Sequence, residues 1–480
     1  MNRRMVLYML GRIVRMEAAL LLLPLAVSLY YREDCAAAFL ITIGVALCVG
    51  TLMVVLSRPG NQVIFAKEGF VIVALAWLGV SAVGALPFFI SRGIPSYVDA
   101  FFETVSGFTT TGSSILRDVE ALPRGLLFWR SETHWIGGMG VLVLIMALVP
   151  SVSGRTMHIL KAEMPGPIVG KLVPRVRDTA KILYLIYIAM TLVQVILLLC
   201  GGMSLFDSVV HTFGTAGTGG FGIYRNSIAG FSPYIQWVIA VFMLLFGINF
   251  NLYYLILVRR VREALCSREL WCYLLLVLLS SAVITVNIFP YYRSAGEAIR
   301  AAVFQVSSII TTTGYATTDF NLWPGLSKVI LFLLMFVGGC AGSTAGGLKV
   351  SRVMLLCKSV RRDLQRQLHP RSVGSIQLEG RRVDNVTVAG VGIYLTVYCL
   401  LLAATLLLLS FEAFGLECNL SAAVTCLNNV GPGFGMVGPA GSFAEYSAFS
   451  KVVLSLAMLF GRLEIYPLLF VLTPTTWMKK

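Results

Sequence analysis

The sequence predicts an all-α polytopic membrane protein built from four pseudo-repeated units, with two extra spans at the N-terminus. Each unit is a span, a short half-helix, a glycine-centred loop and a second span. Three observations carry this reading: the composition, the placement of basic residues, and a small polar loop written repeatedly into an apolar chain. Of 480 residues, 57% are hydrophobic and 13% charged, against about 45–50% and about 25% in soluble domains. Apolar runs recur from end to end, each roughly long enough for a bilayer core of about 30 Å.

Ten runs qualify, near residues 16–31, 36–57, 70–90, 135–150, 182–202, 235–258, 271–290, 327–345, 388–411 and 449–473. With the N-terminus inside, the inner segments hold 27 of the 38 Lys and Arg, the outer side ten when Lys328 and Lys451 at the outer ends of their runs are counted with it, and Arg462 falls deep within the last run. That asymmetry follows the positive-inside rule, so the net charge of +15 reports topology rather than nucleic-acid binding. Both termini are then cytoplasmic. No small-residue cleavage site follows the first run, which is therefore read as a retained helix.

The ten cysteines lie mostly in or beside apolar runs with no CxxC pair, and read as small core residues. The histidines at 134, 158, 211 and 369 show no ligand spacing, so neither a metal centre nor a bound cofactor is expected.

After the first two spans, every outer connection has one form. The segments are SYVDAFFETVSGFTTTGSS (Ser96–Ser114), SLFDSVVHTFGTAGTGGFG (Ser204–Gly222), EAIRAAVFQVSSIITTTGYA (Glu297–Ala316) and NLSAAVTCLNNVGPGFG (Asn419–Gly435). Each is an amphipathic stretch too short to span, then a turn around glycine. Stacked on one glycine, they read Thr110-Thr111-Gly112-Ser113, Gly217-Thr218-Gly219-Gly220, Thr312-Thr313-Gly314-Tyr315 and Asn429-Val430-Gly431-Pro432. This is a fourfold internal repeat. It divides the chain into a two-helix segment, 1–66; a first repeat, 67–154; a second, in two parts, 155–230 and 231–268; a third, 269–382; and a fourth, 383–480.

Non-helical backbone at membrane depth is tolerated only where protein buries it or where it lines a watery cavity. Four such loops around one central pore can present rings of carbonyl oxygen that replace a cation's hydration shell. Glycine permits the positive φ that such a loop requires, and half-helix C-termini favour a cation. Oxygen donors without fixed charge suit a monovalent ion better than Ca²⁺ or Mg²⁺.

At these loops the sequence resembles the TrkH/TrkG/KtrB superfamily of potassium transporters, over essentially the whole chain, and the two extra N-terminal spans point to the TrkH branch. The resemblance implies K⁺ uptake by a channel-like subunit in the bacterial inner membrane, with glycine at all four anchors favouring K⁺ (and Rb⁺) over Na⁺. It also implies a homodimer and a cytoplasmic TrkA-type subunit through which nucleotides act. Na⁺- or H⁺-coupled symport on the same fold is the alternative. Gly217 and Asn429 stand where other loops have threonine, and Pro432 follows its glycine, so the second and fourth loops are expected to lack the same hydroxyl ring.

Two further features stand out. The segment VGGCAGSTAGGLKVSR (Val337–Arg352) interrupts span eight with glycines at 338, 339, 342, 346 and 347, a poor helix interior of the kind that marks ion sites and gates. With Ser343 and Thr344, it is expected to form an intramembrane gate, as the resemblance also implies. Arg462, near the middle of the last span, lies too far from either end to snorkel, about 18 Å at 1.5 Å per residue. It should face the pore, and the matching family arginine acts there as a barrier to cations. Its neighbour Glu464 is two residues away and points to a different face of a helix.

Two GxGxxG matches, at Gly217-Gly219-Gly222 and Gly433-Gly435-Gly438, follow no strand, and GSTAGGLK (Gly342–Lys349) has the wrong spacing for a phosphate loop. No nucleophile–base or paired-carboxylate arrangement emerges, so no enzyme is expected. The basic stretch Lys349–Arg382 is a plausible docking face for a partner subunit or anionic lipid.

Overall fold

The computed structural model describes residues 1–59, 65–140, 176–371 and 374–478. Among these, six helical segments are long and apolar enough to cross a bilayer unbroken: Arg3–Tyr30, Ala36–Leu56, Lys67–Ile90, Ala180–Cys200, Arg268–Tyr291 and Asn385–Leu409. They expose leucines such as Leu40, Leu52, Leu278 and Leu400, the outward face of a protein solvated by lipid. Apart from a two-residue hairpin pairing Gln377–Leu378 with Arg381–Arg382, the regular structure of the described residues is helical.

The first helix starts at Arg3 rather than near residue 16. Asn2 caps it by accepting from the Met5 N–H, so Arg3, Arg4, Arg12 and Arg15 ride on the helix instead of preceding it. It packs against Ala36–Leu56 at Gly11 and Gly50, where a β-carbon on either would stand within 3.0 Å of the other's carbonyl. Small residues permit such close approach of helices in lipid.

The other four expected spans are the second helices of the repeats, and each breaks. Arg124–Gly138 ends at Met139 and the left-handed Gly140; the rest of the run expected at 135–150 lies outside the described residues. Pro233–Phe246 and Phe250–Leu257 meet at 90°. Gly325–Val337 stops at Gly338, and helix resumes only at Val350–Leu368. Ala448–Arg462 gives way at Leu463–Ile465 before Tyr466–Leu472. The runs expected at 235–258, 327–345 and 449–473 are therefore not continuous helices. Apolarity reports membrane depth, not helical continuity. The breaks are set by local signals such as Asn249, whose side chain accepts from the Asn251 N–H to start the bent piece.

Four half-helices follow: Tyr97–Phe108, Leu205–Ala216, Ala295–Ile310 and Leu416–Asn428. The first three share one start signal, a serine whose hydroxyl accepts from the backbone N–H three residues on: Ser96 with Asp99, Ser204 with Asp207, Ser294 with Glu297. The acidic residue in each first turn also suits the positive end of the helix. The fourth starts at Gly415 with no side-chain cap.

Each half-helix packs on the second helix of its own repeat and on that of the preceding repeat. Leu205–Ala216 touches Arg124–Gly138, Ala295–Ile310 touches Pro233–Phe246, and Leu416–Asn428 touches Gly325–Val337. Ala448–Arg462 closes the set against Tyr97–Phe108. The repeats thus form a ring, with the glycine loops where the half-helices converge.

Candidate functional site

The backbone gives the loops a common register. In each, one residue adopts a left-handed conformation and its N–H donates three residues back: Thr110 to Gly107, Thr218 to Thr215, Thr312 to Ile309, Asn429 to Cys426. The next residue donates five back: Thr111 to Ser106, Gly219 to Gly214, Thr313 to Ser308, Val430 to Thr425. The third is a glycine of positive φ: Gly112, Gly220, Gly314 and Gly431, at 82°, 71°, 88° and 102°. The second anchor is therefore Gly220, one residue beyond Gly219. Its loop reads Thr218-Gly219-Gly220-Phe221, so Thr218, and not Gly217, occupies the position of Thr110 and Thr312. Matching glycine to glycine cannot find this shift, because two adjacent glycines fit equally well.

These glycines close a cycle. A β-carbon built on Gly112 would collide with the carbonyl of Gly219, one on Gly220 with Thr313, one on Gly314 with Val430, and one on Gly431 with Thr111. Each glycine lies against the peptide just before the next glycine in the ring, and the fourth returns to the first. Glycine is required twice over, by a φ that L-residues rarely adopt and by the absence of room. The ring is cross-linked by the Ser113 hydroxyl donating to the Gly431 carbonyl at 3.1 Å and the Asn429 side-chain amide donating to Thr111 Oγ1 at 2.9 Å. The Tyr315 hydroxyl donates to the carbonyls of His211 and Phe221 at 3.1 and 3.2 Å. All four glycines, with Ser113 and Pro432, line one cavity of about 110 Å³.

The segment Gly338–Lys349 is packed against the half-helix side of this ring. The Gly346 N–H donates to the Thr312 hydroxyl at 2.6 Å, and the Gly347 N–H to the Asn428 carbonyl at 3.0 Å. Cys340 N–H donates to the Gly247 carbonyl at 2.9 Å, and the Thr344 hydroxyl to Phe246 at 3.2 Å, at the bend of the second repeat. Gly338, Gly342, Gly347 and Lys349 have positive φ, so the segment cannot be helical. Ser343, Gly346 and Gly347 line a second cavity of about 60 Å³ with Gly138, Phe250, Lys349 and Arg462. Gly339, with a β-carbon direction blocked by Ala345 and Gly247, is buried at the base of the loop.

The model of the TrkH family, described as a cation transport protein, matches residues 36–476. The chain belongs to the TrkH family. It is 37% identical to the Trk system potassium uptake protein TrkH of Salmonella typhimurium, over 99% of this chain and 100% of that protein. It is 33% identical to TrkG of Escherichia coli, covering 99% and 98%, and 34% identical to TrkI of Halomonas elongata, covering 96% and 94%. The crystal structure of the potassium transporter TrkH from Vibrio parahaemolyticus superposes with a TM-score of 0.90 over the full length of both chains at 34% identity.

Arg462, the last residue of its helix, is half-buried in the second cavity of this TrkH-family chain. Its guanidinium donates to the Thr344 carbonyl at 2.9 Å and to Gly137 and Gly138 at 2.5 and 2.9 Å. It therefore ties the glycine-rich segment to the broken helix of the first repeat. Glu464 bonds elsewhere, accepting from Arg352 at 2.5 Å.

Three features of the candidate site escape a reading of the sequence. Lys349, whose ammonium donates to the Ala345 carbonyl, is a second buried cation beside Arg462. Its signal is a lysine closing an intramembrane glycine stretch. The breaks in the first, second and fourth repeats carry little glycine signal beyond Gly137-Gly138, Gly247 and Gly461. His134 and the Arg130–Glu103 pair sit directly behind the loops, and their signal is polarity inside an apolar helix and a half-helix.

Proposed function

We propose that this chain is the ion-conducting subunit of a potassium uptake system of the inner membrane. The closed cycle of Gly112, Gly220, Gly314 and Gly431 carries the reading. Four loops of one register around one axis are the arrangement in which backbone oxygen replaces the hydration shell of a weakly hydrated cation. The relatives named as potassium uptake proteins, over nearly the full chain, support K⁺ as the transported ion.

In this reading Thr110–Ser113, Thr218–Phe221, Thr312–Tyr315 and Asn429–Pro432 form the selectivity filter. Gly338–Gly347 is the gate, and Arg462 with Lys349 places positive charge beside it, where a cation meets an energetic barrier. The four repeats are functional quarters of one pore. Rb⁺ is the congener transported, and the protein works as a homodimer with a cytoplasmic TrkA-type subunit that carries the nucleotide response. Both termini face the cytoplasm, as the basic inner segments favour.

The deciding measurement is Rb⁺ uptake into vesicles under Na⁺ competition, comparing wild type with Gly314→Ser. A side chain there meets the Val430 carbonyl and an unfavourable φ. Na⁺ should then compete where it did not before; undiminished K⁺/Na⁺ discrimination in correctly inserted protein overturns the filter. Uptake that reverses freely with the K⁺ gradient alone identifies a channel, whereas dependence on a Na⁺ or H⁺ gradient identifies a symporter.

A further inference from the structure

The four loops are not braced alike. In the first, the Thr109 and Thr111 hydroxyls lie 2.8 Å apart and Thr109 donates to the Val105 carbonyl at 2.6 Å. In the third, Thr311 and Thr313 repeat this at 2.8 Å, with Thr311 donating to Ser307 at 2.6 Å. These threonines flank the left-handed residue of each loop. In the second loop the equivalent positions are Gly217 and Gly219, so no hydroxyl pair exists there.

The space is filled from another repeat. His134, on the second helix of repeat one, is fully buried. A β-carbon on Gly219 would collide with its ring at Nδ1, Cε1 and Cγ. A β-carbon on Gly217 would instead collide with the His134 main-chain carbonyl. The imidazole also stacks on Phe221, the residue after Gly220, with centroids 4.1 Å apart and planes at 24°. Neither ring nitrogen has a hydrogen-bond partner among the described residues. An imidazole always carries at least one N–H, and among the described residues that donor finds no acceptor, so packing rather than hydrogen bonding is what holds the ring in this place.

We propose that His134 is the positioning residue of the second filter loop: its ring stands in for the threonine pair of loops one and three, and Gly219 is glycine to admit it. This rests on the loops being the selectivity filter. The ring supports the loop by packing and stacking rather than by hydrogen bonding, so the element that stands in for the threonine pair of the second loop comes from outside its own repeat. Its placement then determines how well the four-loop ring discriminates K⁺ from Na⁺.

The swap of brace for brace tests it. Gly219→Thr and His134→Ala, each alone, should lower K⁺/Na⁺ discrimination in Rb⁺ uptake by on the order of tenfold, one by collision and the other by a void. The double variant His134→Ala/Gly219→Thr should return to within about threefold of wild type, because residues in contact do not act additively. Gly217→Ala should be impaired in both backgrounds, since its obstacle is the His134 backbone. His134→Phe, which keeps an aromatic ring and its stack but has no N–H, should retain more discrimination than His134→Leu, which fills the space without a stack, and this comparison serves even where His134→Ala fails to accumulate. Losses that simply multiply in the double variant, or a His134→Phe protein that discriminates no better than His134→Leu, overturn the pairing. If Gly314→Ser also leaves discrimination intact, the filter reading itself has failed; if Gly314→Ser is impaired while the swap fails to rescue, only the pairing has.

Discussion

Arg130 donates through Nε to Glu103 Oε1 at 2.6 Å, and both side chains are buried, 3% and 0% exposed. The pair stands behind the ring of glycine loops and reaches two of them. The Ser114 hydroxyl donates to Glu103 Oε1 and the Ile115 N–H to Oε2, each at 2.9 Å, fixing the exit of the first loop. Arg130 Nη1 donates to the Gly222 carbonyl at 2.8 Å, and its guanidinium lies 3.5 Å from the Phe221 ring centroid, fixing the exit of the second. Repeat one supplies both partners, one from its half-helix and one from its broken helix.

Removing one member of such a pair leaves an uncompensated buried charge, which costs about 3–5 kcal/mol. Glu103→Ala should therefore lower the melting temperature of the detergent-purified protein and admit Na⁺ in uptake assays. Glu103→Gln, which keeps an acceptor for Ser114 or Ile115, should lose less. The reversed pair Glu103→Arg/Arg130→Glu should not recover, because an arginine at 103 offers donors to the hydroxyl and N–H that need an acceptor. Recovery by the reversed pair would show that only the charge attraction matters.

Much of this ring of loops is legible in the chain. FTTTGSS and TTTGYA stand out because small polar residues at membrane depth need a partner, and their recurrence supplies one. The glycine-rich Val337–Arg352 is legible for the same reason. The offset of the second loop is not, since Gly219 and Gly220 are indistinguishable until hydrogen bonds from Thr218 and Gly219 fix the turn. The bends after Phe246 and Arg462 are hidden in apolar runs that satisfy every span criterion. His134 fails as a metal ligand by spacing, and its role emerges only from what Gly217 and Gly219 lack.

Arg462 holds three carbonyls from two elements, and hydrogen bonds to a charged group are worth roughly 1.5–3 kcal/mol each. Arg462→Ala should release the glycine-rich segment and remove positive charge from the pathway together. Maximal Rb⁺ uptake should rise, on the order of tenfold for each 1.4 kcal/mol by which closure is weakened. Arg462→Lys should lie between, because an ammonium is a point charge without a planar fork. Unchanged or lower uptake at equal expression would contradict a barrier role.

The pair of buried Arg352 and half-buried Glu464 ties the helix after the glycine-rich segment to the break after Arg462, at 2.5 Å, with the guanidinium 4.2 Å from the Tyr394 ring centroid. Glu464→Ala strands Arg352 and should destabilise the fold by about 3–5 kcal/mol, read as a lower melting temperature. Arg352→Met should cost less, because it removes the charge and keeps apolar volume beside Tyr394. An Arg352→Met protein less stable than Glu464→Ala would assign the stabilisation to the aromatic contact instead.

Glu269 is the residue at which the proposed gate can be tested apart from the proposed filter. This buried carboxylate reaches both stems of the glycine-rich segment through one oxygen, Oε1 accepting from the Ala341 N–H at 2.7 Å and from the Ser351 N–H at 3.2 Å. It touches none of the four glycine loops. Glu269→Ala leaves both N–H groups buried without an acceptor, at about 1–3 kcal/mol each, and should favour conformations in which the segment leaves its seat under Thr312 and Asn428. Resting Rb⁺ flux should rise while K⁺/Na⁺ discrimination stays at the wild-type value. Deleting Gly342–Gly346 should raise resting flux further by removing the obstruction outright. Loss of discrimination in Glu269→Ala would mean that the segment also braces the filter, through the Gly346 N–H on the Thr312 hydroxyl; unchanged resting flux in the deletion would mean that Gly338–Gly347 is not the gate.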